Sequence, residues 1–452
     1  MQWIFWYDWL LMPIYFFILV KMFFSFANKR YTGNKLKYFK YGFIAKLIGA
    51  LGFGVYHQYI YGGGDTYLYF DTGIKLADFA STDFHRYISL LFSPTADTVS
   101  LQFETLDDIV YGEPNFFVVR LTAILAFVAF KSYIPILLMF SSLSYVGIWY
   151  AYSSICRLYN HLSKELAIVF LFIPSVILWG SGLGKDSLTL GGTCLVFGAL
   201  VRLFLVPKPK RIRNLLYLAA GFLIVLIIKP YIIYSFILCF TIGILLQKII
   251  LLKSKAAKLI IGPLLICAGI VATIVAFNYV STDPDFGLDL IANRVLKNNK
   301  SLGESSGAGS AYDLGMNLDR VNGFTDILPI FPKSVFVTLF RPFLWEVSNP
   351  AMLLSALESF LFFIFFAYIL LKRKILGIFS VFIKHPIAIS CLLYTIIFAG
   401  LVGISSGNFG TLVRYKIPCL PFFGLALVLL NEKRKTSLKA SDKPLHTDPL
   451  LS

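Results

Sequence analysis

The sequence contains few charged residues. Only 14% of its 452 residues are Asp, Glu, Lys or Arg, whereas a typical soluble domain carries about 25%. Hydrophobic residues make up 58% of the chain, and the mean hydropathy is +0.75. The shortage of charge excludes an ordinary soluble protein and predicts an integral membrane protein.

Cysteine and histidine are too scattered to suggest a common metal or redox site. None of the six cysteines belongs to a CxxC pair, and the five histidines have no ligand spacing. We expect the cysteines to be small core residues, with no disulfide and no metal site. No bound cofactor is expected, with a divalent cation as the open alternative.

Acidic residues are also few. The chain has 24 of them and 41 basic residues, which gives a net charge of +17. A basic balance of this size could indicate nucleic-acid binding. In membrane proteins, however, Lys and Arg collect in cytoplasmic loops beside anionic lipid. We therefore predict contact with membrane lipid and no binding of nucleic acid.

Hydrophobic segments recur along the whole chain, and about eleven or twelve could cross a bilayer by length. They lie at 3–26, 40–60, 115–131, 133–156, 165–183, 187–206, 214–229, 231–250, 258–280, 351–371, 385–404 and 417–431. The first lacks a basic start and carries Asp8, which favours a membrane helix over a cleavable signal. The run 115–131 is short and contains Arg120, so we expect it to cross only partly.

These runs predict an all-α polytopic fold, with a membrane domain over 1–431 and a disordered cytoplasmic tail over 432–452. Its orientation follows from the charges. Clusters of Lys and Arg at 28–40, 208–213, 253–258, 372–374 and 433–435 are predicted to be cytoplasmic. Two long acidic loops, 61–114 and 281–350, and the turns 183–187 and 404–416 then lie at the outer face.

The outer loop 61–114 begins with a polar stretch in an apolar neighbourhood, Gly62-Gly63-Gly64-Asp65, followed by Asp71. A carboxylate at the membrane rim can act as a general base, so Asp65 and Asp71 are the candidate catalytic residues. Alternatively, Asp65 caps the helix that follows. The rings of Tyr67, Tyr69 and Phe70 suit a sugar face or the headgroup zone.

Several outer turns carry cations against the positive-inside trend. The candidates for binding a diphosphate are Lys185, Arg341, Arg414 and Lys416. Lys185 and its neighbour Asp186 open a predicted helix, whose N-terminus would add partial positive charge.

Each cation also has a structural interpretation. Lys185 could pair with Asp186, and Arg341 with Glu346, while Arg414 and Lys416 could reach the interface as snorkelling side chains. Glu358 is a further candidate because acidic residues inside a span usually have a function. Its alternative is a hydrogen-bonded packing role.

Together these motifs resemble the multispanning GT-C-type glycosyltransferases and bacterial polysaccharide polymerases. The likeness lies in an acid in the first outer loop (Asp65 or Asp71), a turn from Pro174 to Asp186 that opens a long helix, and Arg414 to Pro421 before the last span. The string Arg-Pro-Phe-Leu-Trp-Glu at 341–346 also looks like strings in such envelope proteins. The paired acid motif, Asp/Glu-x-Asp/Glu, is missing near Asp65.

The resemblance implies a polyprenyl-type lipid-linked sugar donor and a reaction at the outer face of a bacterial cytoplasmic membrane. The expected function is a glycosyltransferase or polymerase of surface polysaccharide or glycoconjugate, with a lipid-linked saccharide and polysaccharide-assembly proteins as partners. A transporter or flippase of lipid-linked saccharide is the alternative, although no internal repeat is evident. A non-catalytic scaffold is the third interpretation. Sugar, linkage, acceptor, stereochemistry and oligomeric state stay open.

Overall fold

The computed structural model describes residues 3–92, 113–207, 209–251 and 329–432, with seven isolated positions between 254 and 314. The described residues are organised in helices. Most of the expected span 258–280, most of the loop up to residue 328 and the tail from residue 433 lie outside them, so those predictions stay open.

The chain forms sixteen α-helices within the described ranges. They are α1 (Trp6–Asn28), α2 (Gly33–Val55), α3 (Asp65–Thr82), α4 (Phe84–Phe92), α5 (Glu113–Val128), α6 (Tyr133–Ile155), α7 (Ser163–Leu171), α8 (Pro174–Leu178), α9 (Lys185–Phe204), α10 (Arg211–Ile228), α11 (Pro230–Leu251), α12 (Phe331–Phe340), α13 (Pro350–Lys384), α14 (Pro386–Ser406), α15 (Phe409–Tyr415) and α16 (Leu420–Asn431).

Six of these helices, α1, α6, α9, α10, α13 and α14, contain stretches long and apolar enough to cross a membrane. Two bent pairs, Asn160–Leu171 with Pro174–Ser181 and Phe409–Tyr415 with Leu420–Asn431, raise the number to eight if each is one span. The protein is therefore an all-α polytopic membrane protein. The expected span 165–183 contains a bend of 60°, and a bend of 65° lies between Phe409–Tyr415 and Leu420–Asn431, at the start of the expected span 417–431. Pro174 and Pro418 interrupt the helices at these places.

The centre of the bundle is the pair α6 and α9. Both are buried over most of their length, and their backbones touch at Gly147 and Gly191. A Cβ on Gly147 would lie 2.0 Å from the carbonyl oxygen of Gly191. Small residues allow such close packing between membrane helices. The pair fixes the position of the first turn of α9, which carries Lys185 and Asp186.

The run expected to cross only partly forms α5, whose 16 residues extend about 24 Å. This is shorter than the hydrocarbon thickness of about 30 Å. Arg120 in its middle pairs with Glu113 at 3.1 Å. The helix packs on α3, where a Cβ on Gly73 would lie 2.6 Å from the methyl group of Thr122. It thereby brings Asn115, in its first turn, next to the start of α9.

Candidate functional site

The short helix α8 is held by a buried polar side chain at each of its ends. The backbone N–H of Ser175, in its first turn, donates to Oε2 of Glu358 at 2.8 Å. The ammonium group of Lys46 donates to the carbonyl oxygen of Val176 at 3.0 Å and to that of Gly180. An acidic group at the N-terminus and a basic group at the C-terminus match the orientation of the helix dipole. Glu358 therefore makes a hydrogen bond of the kind that its packing interpretation predicts.

From α8 the chain reaches α9 through a turn packed tightly against α2. A Cβ on Gly182 would lie 2.5 Å from the ring of Phe53, so only glycine fits there without displacement. Lys185 and Asp186 follow as the first residues of α9. The Asp186 side chain is buried, with 10% of its surface exposed.

The glycine-rich stretch connects α2 to α3 through a left-handed turn. A π-helical turn over Tyr56–Tyr61 ends at Gly62, whose φ of +71° is left-handed, and Gly64 has a φ of +115°. Glycine adopts these angles at little cost. Gly64 is the N-cap of α3 and Asp65 is its first residue. Asp65 is therefore not the helix cap, and its carboxylate is about half exposed.

Four charged residues form a continuous chain of ion pairs in one cleft. Oδ1 of Asp186 lies 2.7 Å from Nζ of Lys229, and its Oδ2 lies 3.3 Å from Nη2 of Arg414. The same Nη2 lies 3.8 Å from Oδ2 of Asp65. Asp186 thus orients two cations, while Asp65 makes one long contact at the rim.

Lys185 adds a third cation to this cleft. Its ammonium group donates to Oδ1 of Asn115 at 2.8 Å, and the hydroxyl of Tyr69 donates to the same oxygen at 2.9 Å. Neither Asp186 oxygen is a hydrogen-bond partner of Lys185, so the local Lys185–Asp186 hydrogen bond is not formed. Among the described residues, the cleft contains three cations and two carboxylates, which leaves one excess positive charge.

The cleft encloses about 510 Å³ of empty space, including its open mouth. Aromatic rings of Phe53, Trp179 and Tyr415 line it beside the charged groups, together with the imidazole of His57. The ring of Tyr69 also lines the cleft, whereas Tyr67 and Phe70 do not line it and are buried in the protein. An aromatic wall with neighbouring charges suits a polar ligand that also carries apolar surface.

Asp71 lies outside the cleft. Six residues correspond to about 240° around an α-helix, so Asp65 and Asp71 project from different sides of α3. Oδ2 of Asp71 accepts a hydrogen bond of 2.9 Å from the indole of Trp3. The structure therefore ties Asp71 to the N-terminal segment.

Arg341 and Glu346 form the ion pair that closes the turn before α13. Nε of Arg341 lies 3.0 and 3.1 Å from the two carboxylate oxygens, and the backbone N–H of Phe343 donates to Glu346 at 2.7 Å. Burial raises the pKa of Glu346. The hydrogen bonds from Arg341 and Phe343 and the charge of Arg341 together outweigh this effect, so the pKa lies below its ordinary value. Neither residue lines the cleft.

Lys416 is fully buried, although it is only two residues from Arg414. Its ammonium group donates to Oγ of Ser359 at 2.8 Å and to the carbonyl oxygen of Arg341 at 3.2 Å. The structure thus gathers Asp65, Lys185, Asp186 and Arg414. The candidates outside the cleft are Asp71, Arg341, Glu346, Glu358 and Lys416.

Sequence reasoning missed Lys229 and Asn115 as parts of the site. Lys229 had a signal, because it is a lone cation between two apolar runs and precedes Pro230. Asn115 had none. Across the described parts of the chain, no group of three or more His, Cys, Asp or Glu side chains is placed to hold a metal ion.

Comparisons of the chain with family models, with curated proteins and with solved structures found no match. The functional argument therefore depends on the cleft itself.

Proposed function

We propose that the protein is a glycosyltransferase or polysaccharide polymerase that takes sugar from a polyprenyl-(di)phosphate donor at the outer face of a bacterial cytoplasmic membrane. One observation carries the proposal. Residues from four distant parts of the sequence, Asp65, Lys185, Lys229 and Arg414, meet in one cleft. A carboxylate beside an excess of cations is what this transfer requires.

The cations suit the phosphate groups of the donor. Lys185 hydrogen-bonds to an amide oxygen in the cleft, so its charge is not cancelled by a direct carboxylate partner. Arg414 and Lys229 are oriented by Asp186, and the guanidinium group offers several donors in a fixed plane. Preorganised positive charge stabilises the negative charge that builds up on a departing phosphate.

In this proposal Asp65 is the base. Its half-exposed carboxylate would remove the proton from an acceptor hydroxyl, whose oxygen then attacks the anomeric carbon of the donor sugar. The bond from that carbon to the phosphate oxygen breaks, and the polyprenyl (di)phosphate leaves with the bonding electron pair. Lys185 and Arg414 compensate its charge.

Binding of undecaprenyl diphosphate to the purified protein in nanodiscs tests the role of the cations. We expect Lys185→Gln and Arg414→Gln each to weaken binding by about tenfold, as for the loss of a charged hydrogen bond. Lys75→Gln, which changes an exposed cation outside the cleft, is the matched control. Equal binding by all variants would contradict the proposal.

Turnover is tested with a panel of undecaprenyl-diphosphate-linked saccharides by mass spectrometry of the products. New glycosidic bonds and released undecaprenyl diphosphate support a transferase. Movement of intact lipid-linked saccharide between leaflets, without bond cleavage, would favour the transporter. If the protein neither transfers sugar nor moves the lipid-linked saccharide, the result would favour the scaffold.

A further inference from the structure

A second, larger cavity lies at the other end of α9. We call it the basic groove, and its cations are Arg30, Lys35, Arg157, Arg202 and Arg213. It has about 1540 Å³ of empty space, including its opening. Arg202 lies 17 residues after Lys185 along α9, which corresponds to about 25 Å. The groove and the cleft are thus separated by nearly the hydrocarbon thickness of a bilayer.

The basic groove contains positive charge without acidic partners. No Asp or Glu lines it, and none of its five cations belongs to an ion pair within the described residues. The charges of Lys35, Arg157 and Arg202 act on one another, as do those of Arg202 and Arg213. Such a cluster favours an anionic ligand, because unscreened like charges repel.

Arg202 is held in a fixed position at the base of the groove. Its residue surface is only 9% exposed. Nε donates to Oγ of Ser154 at 2.7 Å, and Nη2 donates to Oγ of Ser153 at 2.6 Å. The guanidinium group also lies 4.1 Å from the centre of the Tyr150 ring. These hydroxyl and ring contacts orient the cation but leave its charge uncompensated.

Arg213 provides an independent sign of a missing partner. Its Nε is buried and has no hydrogen-bond partner. A buried donor without an acceptor costs about 1–3 kcal/mol. A phosphate oxygen in the groove would supply both the acceptor and the opposite charge, since Arg binds phosphate through several parallel hydrogen bonds.

The wall of the groove is apolar and opens between membrane helices. Met22 and Phe26 of α1 and Val146 of α6 line it, and each is more than 40% exposed. Trp149 lies between this apolar wall and the cations and donates to the hydroxyl of Tyr31 at 2.8 Å. The surface therefore matches a ligand with a hydrocarbon chain joined to an anionic head.

We propose that the basic groove binds the phosphate headgroup of an anionic membrane lipid, with the lipid chain along α1 and α6. The positive-inside rule predicts that this end faces the cytoplasm, where anionic lipids attract basic side chains. Basic pockets between membrane helices on that side are suited to such headgroups. The inference does not depend on the function proposed for the cleft.

Quenching of tryptophan fluorescence by brominated lipids tests this site. Trp149 lines the groove, whereas the other five tryptophans are at 3, 6, 9, 179 and 345. We expect dibromo-phosphatidylglycerol in detergent micelles to quench the full-length protein at about one tenth of the concentration needed for dibromo-phosphatidylcholine. In Trp149→Phe, this high-affinity phase should disappear.

Two double variants distinguish a defined binding site from general attraction to a positively charged surface. Arg157→Gln with Arg213→Gln removes two cations of the groove and leaves the bonds of Arg202 in place. We expect it to raise the half-quenching concentration of the anionic lipid by about tenfold. Lys29→Gln with Arg211→Gln removes two exposed cations from the same end that do not line the groove, and should leave it unchanged.

The proposal fails if both double variants weaken quenching equally, or if the two brominated lipids quench alike in the wild type. It also fails if the high-affinity phase of quenching persists in Trp149→Phe. Competition with inorganic phosphate and with glycerol 3-phosphate tests whether a soluble phosphate is the ligand. If either displaces the lipid at submillimolar concentration, a free phosphate is the ligand and the lipid assignment is overturned. If neither compound displaces the lipid, the lipid assignment is supported.

Discussion

Asp65 and Asp71 lie on the same helix but in different surroundings, because one faces Arg414 across the cleft and the other binds Trp3. We predict that Asp65→Asn lowers the rate of sugar transfer by about 10²–10⁴-fold, the usual contribution of a general base. Asp71→Asn should keep a rate close to wild type. The measurement is the initial rate of undecaprenyl diphosphate release.

Binding of undecaprenyl diphosphate is the control for folding in both variants. Asp65→Asn should still bind it, because the cations of the cleft remain. A larger loss of rate in Asp71→Asn than in Asp65→Asn would remove Asp65 from the role of base.

Lys46 supports the turn before α9 from inside the protein, where it donates to the carbonyl oxygens of Val176 and Gly180. Ser144 also donates to the carbonyl oxygen of Gly180, so the loss of Lys46 removes a side-chain donor mainly from Val176. We predict that Lys46→Met lowers the thermal unfolding temperature in detergent, since a buried carbonyl oxygen left without a donor costs about 1–3 kcal/mol. The control is Lys37→Met, which changes an exposed lysine of the same helix. An equal unfolding temperature for the two variants would contradict this role.

At the scale of elements, α2 and α8 approach closely through a single glycine. A Cβ on Gly49 would lie 2.2 Å from the carbonyl oxygen of Ile177, whereas a Cβ on Gly52 would only meet Leu178 at 3.4 Å. We predict that Gly49→Ala destabilises the protein by about 1–3 kcal/mol through overpacking. Gly52→Ala should be neutral or stabilising by up to about 1 kcal/mol, because alanine favours the helix.

Thermal unfolding of the two alanine variants provides the comparison. Gly49→Ala should also reduce binding of undecaprenyl diphosphate, because the displaced turn leads directly to Lys185. If Gly49→Ala unfolded at the temperature of Gly52→Ala, the contact between α2 and α8 would not be a tight constraint.

For the whole molecule, the predicted orientation places Tyr61 and Lys29 on opposite sides of the membrane. Both residues are exposed, so cysteines introduced there should react with a maleimide that cannot cross the membrane. We predict that Tyr61→Cys reacts in intact cells and that Lys29→Cys reacts only after permeabilisation, since basic loops stay in the cytoplasm.

The background for this labelling is Cys267→Ser, because Cys267 is exposed and the other five cysteines are buried. The unaltered background should remain unlabelled in both conditions. Labelling of Lys29→Cys in intact cells would reverse the orientation of the bundle.

The sequence by itself determined the class of the protein. In lipid, backbone groups must be paired within each segment, so long apolar runs become helices wherever they occur. Charge also located Asp65, Lys185 and Arg414 near one end of the bundle. Proline and glycine indicated breaks, but the two bends of 60° and 65° and the short α8 appeared only in the structure.

Only the tertiary structure decided which charges share a cleft. Arg414 meets Asp186 across 228 positions of sequence, while Lys416, two residues further on, is buried against α13. Sequence spacing indicates the depth of a residue along the membrane normal but not the direction in which its side chain projects around the bundle. That direction depends on how the helices pack, and it separates Arg414 in the cleft from Lys416 in the core.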